Sequence, residues 1–373
     1  MNETALTWIV FILAFGGMVL IHELGHFIAA RLCKIEVEEF GIGLPTPGAL
    51  TLFKWQGTRF TLNWLPLGGF VRPKGENDPN VPGGLAAASP WKRLFVLFAG
   101  PAMNLLAAVV IYAIIFSRVG VPDTSRVLIA SVSPESPAAA AGFQDGDIFI
   151  RGNDKTITNY DELRVIVDQN ANQPVLFLVD RNGEQVELTA TPRMNESESR
   201  VMIGVGLSVP FKQTGSFAET LGLGARYTGY TIRALVSLPA QLIRGTVDPD
   251  QGRIIGLKGI FDVLGQSVSR DVEAVSNNSP PAATASTDPS SQPVRTLELL
   301  ASLTISLGVF NLFPFPALDG GRIIFVLPEL IFRRRVSPQV ENLVHGMGMA
   351  FLLILMIYVN VMDFINPITV TIP

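Results

Sequence analysis

Cysteine is nearly absent: Cys33 is the only one, so no disulfide can form within the chain and the redox compartment cannot be read. Charge is also scarce. Charged residues make up 16% of the chain, against roughly 25% in ordinary soluble domains, while apolar residues reach 48%. Such a shortfall points to a chain partly dissolved in lipid. Positive charge is not in excess. The formal net charge of −4 gives no basic field for nucleic acid, which sets that partner class aside. No Lys or Arg precedes the first apolar run, and no small-x-small cleavage pattern closes it. The run therefore reads as retained rather than as a cleaved leader. Histidine is rare too, with three in the chain, so the position of each is informative.

Four stretches approach the length of about 20 apolar residues that a spanning helix needs. They run from Ala5 to about Ala30, from Leu94 to Phe116, from near Leu297 through Phe315 towards Asp319, and from Val344 to Met362. Arg31, Lys34, Lys92 and Arg93 crowd the first connection, and Arg333, Arg334 and Arg335 lie between the last two stretches. The positive-inside bias makes both connections cytoplasmic. The central region and both termini are then expected outside, in a multi-pass protein of the cell membrane.

Between Pro122 and about Pro210 the pattern turns soluble. Val127–Val132, Ile148–Ile150, Val175–Val179 and Gln185–Ala190 read as strands, Asn182-Gly183 as a hairpin turn and Tyr160–Asp168 as a short helix. Ser136-Pro137-Ala138 through Gly142-Phe143, followed by Asp145-Gly146-Asp147, resembles PDZ domains of bacterial proteases. Phe217 to Gly245 reads as an amphipathic helix, with Arg226, Arg233 and Arg244 opposite Phe217, Leu221, Ile232, Leu235 and Leu242. It would lie in the outer membrane interface or pack on the PDZ-like domain. Ser276 to Gln292, rich in Ser, Pro, Ala and Thr, reads as a disordered linker.

His22-Glu23-Leu24-Gly25-His26 is an HExxH motif. Residues four apart share a helix face, so both imidazoles reach one Zn²⁺, with Glu23 beside it as general base. The motif occurs within an apolar stretch, where ionisable groups are expensive and usually functional. A satisfied histidine pair without metal is the bland alternative. Catalytic zinc needs a third protein ligand, and Asp319 is the candidate. The first and third stretches both run from outside to inside, and His22 and Asp319 each lie late in theirs, so their depths match. Otherwise Asp319 is a turn residue before Gly320-Gly321. His345, at the cytoplasmic entry to the last stretch, reads as interfacial and is excluded as a ligand.

HExxH in the first stretch together with Asn311-Leu312-Phe313-Pro314-Phe315-Pro316-Ala317-Leu318-Asp319-Gly320-Gly321 resembles the site-2 protease family of intramembrane metalloproteases. The branch with a PDZ insertion, that of the bacterial regulator of sigma-E protease, is most similar. Phe40-Gly41-Ile42-Gly43, Leu65 through Val71, and Gly100-Pro101-Ala102-Met103-Asn104 match as well. The resemblance implies one zinc held by His22, His26 and Asp319, with Glu23 activating water. It implies cleavage of single-pass membrane proteins, typically anti-sigma factors or remnant signal peptides, in regulated intramembrane proteolysis. It also implies a substrate-pairing edge strand that includes Leu65, Gly68, Gly69 and Phe70, and substrate contacts by Asn104 and Asn311. One PDZ-like domain rather than two, the Ser276–Gln292 insertion, and Arg322 where a histidine is common all depart from the pattern.

The expected fold is membrane α-helical, with about four transmembrane helices, a membrane-associated β-element and one inserted PDZ-like α+β domain. Its parts are a first half of the protease core over 1–121, the PDZ-like domain over 122–210 and an amphipathic region over 211–270. A linker over 271–296 and the second half of the core over 297–373 complete it. The lipid bilayer and single-pass substrates are the expected partners. A rival of another class, a non-catalytic PDZ-bearing scaffold, sits badly with a chain that keeps His22, Glu23, His26 and Asp319 together. A soluble metalloprotease on an anchor would place HExxH in a polar helix, not an apolar one.

Overall fold

The computed structural model describes residues 3–195, 200–213, 216–245, 255–276 and 293–366. Most of the expected linker, 277–292, lies outside the described residues. The chain divides into two units, one over 1–114, 220–271 and 294–373, the other over 115–219 and 272–293.

The first unit begins with α1 (Glu3–Leu32), which carries the HExxH motif. Four strands follow: β1 (Val37–Leu44), β2 (Leu50–Trp55), β3 (Thr58–Leu62) and β4 (Leu65–Pro73). They form one sheet in the order β2-β3-β1-β4, so β4 lies at an edge. It runs antiparallel to β1, with Phe70 opposite Gly41 and Gly69 opposite Ile42. Two close approaches require glycine. A Cβ on Gly41 would meet the Phe70 ring at 2.2 Å, and one on Gly43, at φ +85°, would meet the Leu65 carbonyl at 2.4 Å. Phe27, Ala30, Ile35, Val37, Phe40 and Val96 form a common core beneath the sheet. Val96 belongs to α2 (Pro90–Val119).

The inserted unit starts with β5 (Val121–Pro122) and β6 (Val127–Val132). Next come α3 (Pro137–Ala141), β7 (Ile148–Gly152), β8 (Lys155–Thr156) and α4 (Tyr160–Gln169). After these run β9 (Val175–Arg181), β10 (Glu184–Ala190), β11 (Arg193–Asn195), β12 (Arg200–Met202), β13 (Val205–Ser208) and β14 (Phe211–Lys212). Its main sheet runs β10-β9-β7-β6-β13, with β8 beside β7. The β9–β10 hairpin turns at Asn182-Gly183, both at positive φ, as a tight turn between twisted strands demands. Ser136 caps α3 by accepting from the Ala139 N–H, and Gly142 ends it at φ 86°. Phe143, Phe149 and Phe177 fill the core. Asp147, fully buried, takes both Arg181 N–H donors at 2.7 Å and the Gln144 N–H at 2.9 Å.

Back in the first unit, α5 (Phe217–Ile243) buries Thr220, Gly224 and Thr228. A Cβ on Gly224 would lie 2.5 Å from the Val109 carbonyl of α2. The stripe that packs is thus small and polar, while Phe217 of the expected apolar face is exposed. Small residues let two backbones close up, which a broad apolar face does not. α6 (Leu257–Ser276), α7 (Arg295–Asn311), α8 (Asp319–Phe332) and α9 (Pro338–Ile365) complete the unit. Asp363 of α9 accepts the Gly256 and Gly259 N–H groups at the start of α6, and Asp271 accepts those of Arg295 and Thr296 at the start of α7. Donors that the helices cannot use themselves are thereby satisfied.

Among the described residues, three helices are long and apolar enough to cross a membrane: Thr4–Leu32, Pro90–Val119 and Pro338–Ile365. The third apolar stretch is not one continuous helix. α7 stops at Asn311 after 17 residues, and the chain resumes as α8 at Asp319. Pro314 and Pro316 lack the N–H that a continuing helix would use.

Candidate metal centre

α1 presents His22 and His26 on one face, with ring centroids 4.8 Å apart and planes at 84°. Gly25 between them lets α2 approach: a Cβ there would lie 2.3 Å from the Ala99 carbonyl. The Nε2 atoms of the two rings are 3.1 Å apart. Asp319 Oδ2, at the first position of α8, lies 3.1 Å from His22 Nε2 and 3.3 Å from His26 Nε2. These are the three residues of the described chain whose donor atoms gather as a metal site would require. The carboxylate reaches them because the chain reverses after α7. That reversal is tight: a Cβ on Gly320 would strike the Phe313 carbonyl at 2.2 Å, and one on Gly321 the Phe315 carbonyl at 2.3 Å.

The residues fit zinc. His26 donates its Nδ1–H to the Val96 carbonyl at 2.8 Å, so the neutral ring keeps its Nε2 lone pair turned into the cluster. With His22 in the same tautomer, two such lone pairs and a carboxylate oxygen held within 3.3 Å of one another repel unless a cation lies among them. Tetrahedral zinc with bonds of about 2.0–2.1 Å sets its ligands about 3.3 Å apart, which matches this triangle. Asp319 Oδ2 is buried and accepts no hydrogen bond, as suits an atom kept for a metal. Open space beside the nitrogens is preserved by Gly100, whose Cβ would sit 2.3 Å from His26 Nε2 and 2.9 Å from His22 Nε2.

Glu23 lies on the side of α1 that faces β4, near the Val71 backbone. β4 lies directly on α1 there. A Cβ on Gly69 would stand 3.7 Å from Glu23 Cγ, and one on Gly68 3.4 Å from Val19. The edge strand that holds Leu65, Gly68, Gly69 and Phe70 thus passes beside the carboxylate. Asn104, fully buried, faces His22, with its amide nitrogen 3.4 Å from Nδ1 and its Oδ1 without a partner. Asn311 donates its amide N–H to the Leu307 carbonyl at 3.0 Å, so that amide serves its own helix rather than the cluster. Sequence reasoning missed Val96 and the role of Gly100. The Gly100–Asn104 run signals the second, but nothing in a sequence marks a backbone carbonyl as a histidine's partner.

Ionisable ligands on an apolar helix, joined by a carboxylate from a broken one, define a membrane zinc metalloprotease. The comparisons agree. The model of Peptidase family M50 matches residues 10–355, and the chain belongs to that family, the site-2 proteases. It is 31% identical over 376 residues to the metalloprotease MmpA of Caulobacter vibrioides, covering 91% of each chain. A protein of Clostridium perfringens provisionally named a zinc metalloprotease is 32% identical over 361 residues, 96% of this chain and 98% of that one. One from Clostridium acetobutylicum, named likewise, is 29% identical with the same coverage. A solved PDZ domain of an SdrC-like protein from Listeria monocytogenes overlays 22% of this chain and 85% of its own, 16% identical, at a TM-score of 0.21. That likeness is too slight to define the inserted unit.

Proposed function

We propose that this protein hydrolyses peptide bonds in or near the membrane-spanning segment of single-pass proteins, of the anti-sigma factor or remnant signal peptide type, in regulated intramembrane proteolysis. The observation that carries this reading is the donor triangle of His22, His26 and Asp319 beside a free sheet edge, all of it next to apolar helices. The lipid bilayer is the other partner, and nucleic acid is none. With α7 counted as the third crossing, four spans put the site towards the cytoplasmic side of the cell membrane, and the inserted PDZ-like unit outside.

A helical substrate hides its carbonyls in its own hydrogen bonds and must unwind before attack. Unwound backbone in lipid leaves polar groups unpaired, at several kcal/mol each. Residues 65–71 of β4 offset that by pairing with the extended substrate as an added strand, and amide contacts to it come from Asn104 and from the N–H and oxygen of Asn311 that its bond to Leu307 leaves over. His22, His26 and Asp319 would hold the zinc. When bound, zinc supplies a Lewis acid that brings the pKa of water towards 7 and polarises the scissile carbonyl. Glu23 takes the proton of the attacking water as its oxygen bonds to the carbonyl carbon. The same carboxyl passes that proton to the amide nitrogen as the C–N bond breaks, leaving a carboxylic acid and an amine. The inserted unit either screens out bulky ectodomains, which restricts cleavage to shortened substrates, or binds a peptide carboxyl terminus in its groove.

Purified Glu23→Gln protein tests the reading. It should keep one zinc and its fold while losing cleavage of a single-pass substrate by at least about 10³-fold. Cleavage by the mutant at a wild-type rate would refute the assignment of the base.

A further inference from the structure

The remaining histidine lies far from the donor triangle in sequence, yet it touches the loop that delivers Asp319. His345 Nδ1, on α9, accepts the Ala317 backbone N–H at 2.9 Å. Ala317 stands two residues before Asp319 at φ +79°, a left-handed conformation that costs a residue with a Cβ about 1 kcal/mol or more. Such a backbone persists only where its surroundings hold it. One turn along α9 from His345, Gly348 closes on the same loop, where a Cβ would lie 2.4 Å from Pro316 Cβ and 2.6 Å from its carbonyl oxygen. Phe325 of α8 flanks the imidazole on another side, with ring centroids 5.4 Å apart. The other ring nitrogen, Nε2, is buried without a partner. The bond to Ala317 is therefore the ring's one strong polar interaction, and the ring forgoes a second to make it.

We propose that His345 is a positioning residue for zinc. By clamping Ala317 in the left-handed conformation, it fixes the turn of the chain that aims the Asp319 carboxylate at His22 and His26. It takes no part in ligation or in the chemistry. The inference rests on the zinc reading of the triangle. It goes beyond that reading by giving α9, whose residues do not ligate, a share in metal affinity. A metal ligand loosened by a fraction of an ångström loses affinity steeply, and lost support behind a ligand typically costs 10–100-fold.

The test is zinc affinity by chelator competition on purified full-length protein, with the apo-protein melting temperature recorded alongside. His345→Ala should bind zinc about 10–100-fold more weakly. His345→Asn should recover most of that loss, because its Oδ1 takes the place of Nδ1. His345→Gln, with its acceptor one carbon further out, should not. A merely structural histidine would lower the melting temperature in all three variants and leave the affinity of the folded protein alone. Wild-type affinity in His345→Ala, or equal affinities in the Asn and Gln variants, would overturn the proposal. Should the Ala variant not fold, the Asn–Gln pair decides by itself. Failure of the wild-type protein to bind zinc would sink the metal reading instead, which is a separate outcome.

Discussion

His22 Nε2 and Asp319 Oδ2 lie 3.1 Å apart, although one belongs to the first helix and the other to the eighth. The contact joins the N-terminal and C-terminal parts of one unit, and everything proposed for the protein depends on it. α7 must end early for the carboxylate to arrive there, and α8 must begin with Asp319 itself.

Replacing Asp319 by Asn should weaken zinc binding at least about 100-fold, because a neutral amide cannot offset the cation's charge. Metal analysis after dialysis reads this directly. Chelation of the wild-type protein should abolish cleavage, and one equivalent of zinc should restore it.

Gly100→Ala should also weaken zinc binding, although the change is a single methyl. That methyl would lie 2.3 Å from one ligand nitrogen and 2.9 Å from the other, and making room for it would open the close α1–α2 contact at Gly25. Zinc affinity should fall about tenfold or more, with a helical content unchanged by circular dichroism.

Asn104 faces His22 Nδ1 at 3.4 Å. A zinc-binding His22 carries its proton on Nδ1 and needs an acceptor there, which the amide oxygen supplies after a half-turn of its side chain. Asn104→Asp keeps an acceptor and should hold zinc within a few-fold of wild type. Asn104→Ala should lose about tenfold. If its role is instead to hold substrate through the N–H, zinc affinity stays level in both and KM rises in both.

In the inserted unit, Arg181→Met strips the buried Asp147 of its guanidinium and should destabilise that unit by about 3–5 kcal/mol. Hydrogen exchange of β7 and β9 in the full-length protein should speed up markedly, while zinc content stays at one. Unchanged exchange would mean that the pair contributes little to the fold of the unit.

Sequence by itself determined what each segment can be. Apolar runs mark α1, α2 and α9 as helices able to span a bilayer, because lipid leaves the backbone no other partner, whereas the third run breaks after Asn311. A spacing of four fixes two imidazoles on one face for the same geometric reason in any helix. The strands of the insertion, its Asn182-Gly183 turn and its Tyr160–Asp168 helix were legible because their signals are local. Which surfaces meet was not. The apolar side of α5 is easy to read, yet Thr220, Gly224 and Thr228 are what it buries, with Gly224 against the α2 backbone, since close approach depends on a neighbour's backbone. His345 reads as an interfacial residue because its partner, the Ala317 N–H, belongs to every residue's backbone and leaves no mark in a sequence. The 3.1 Å between His22 and Asp319 was likewise a matter for the tertiary structure. Depth along two helices can be estimated from the chain, but distance across them is set by how the helices pack.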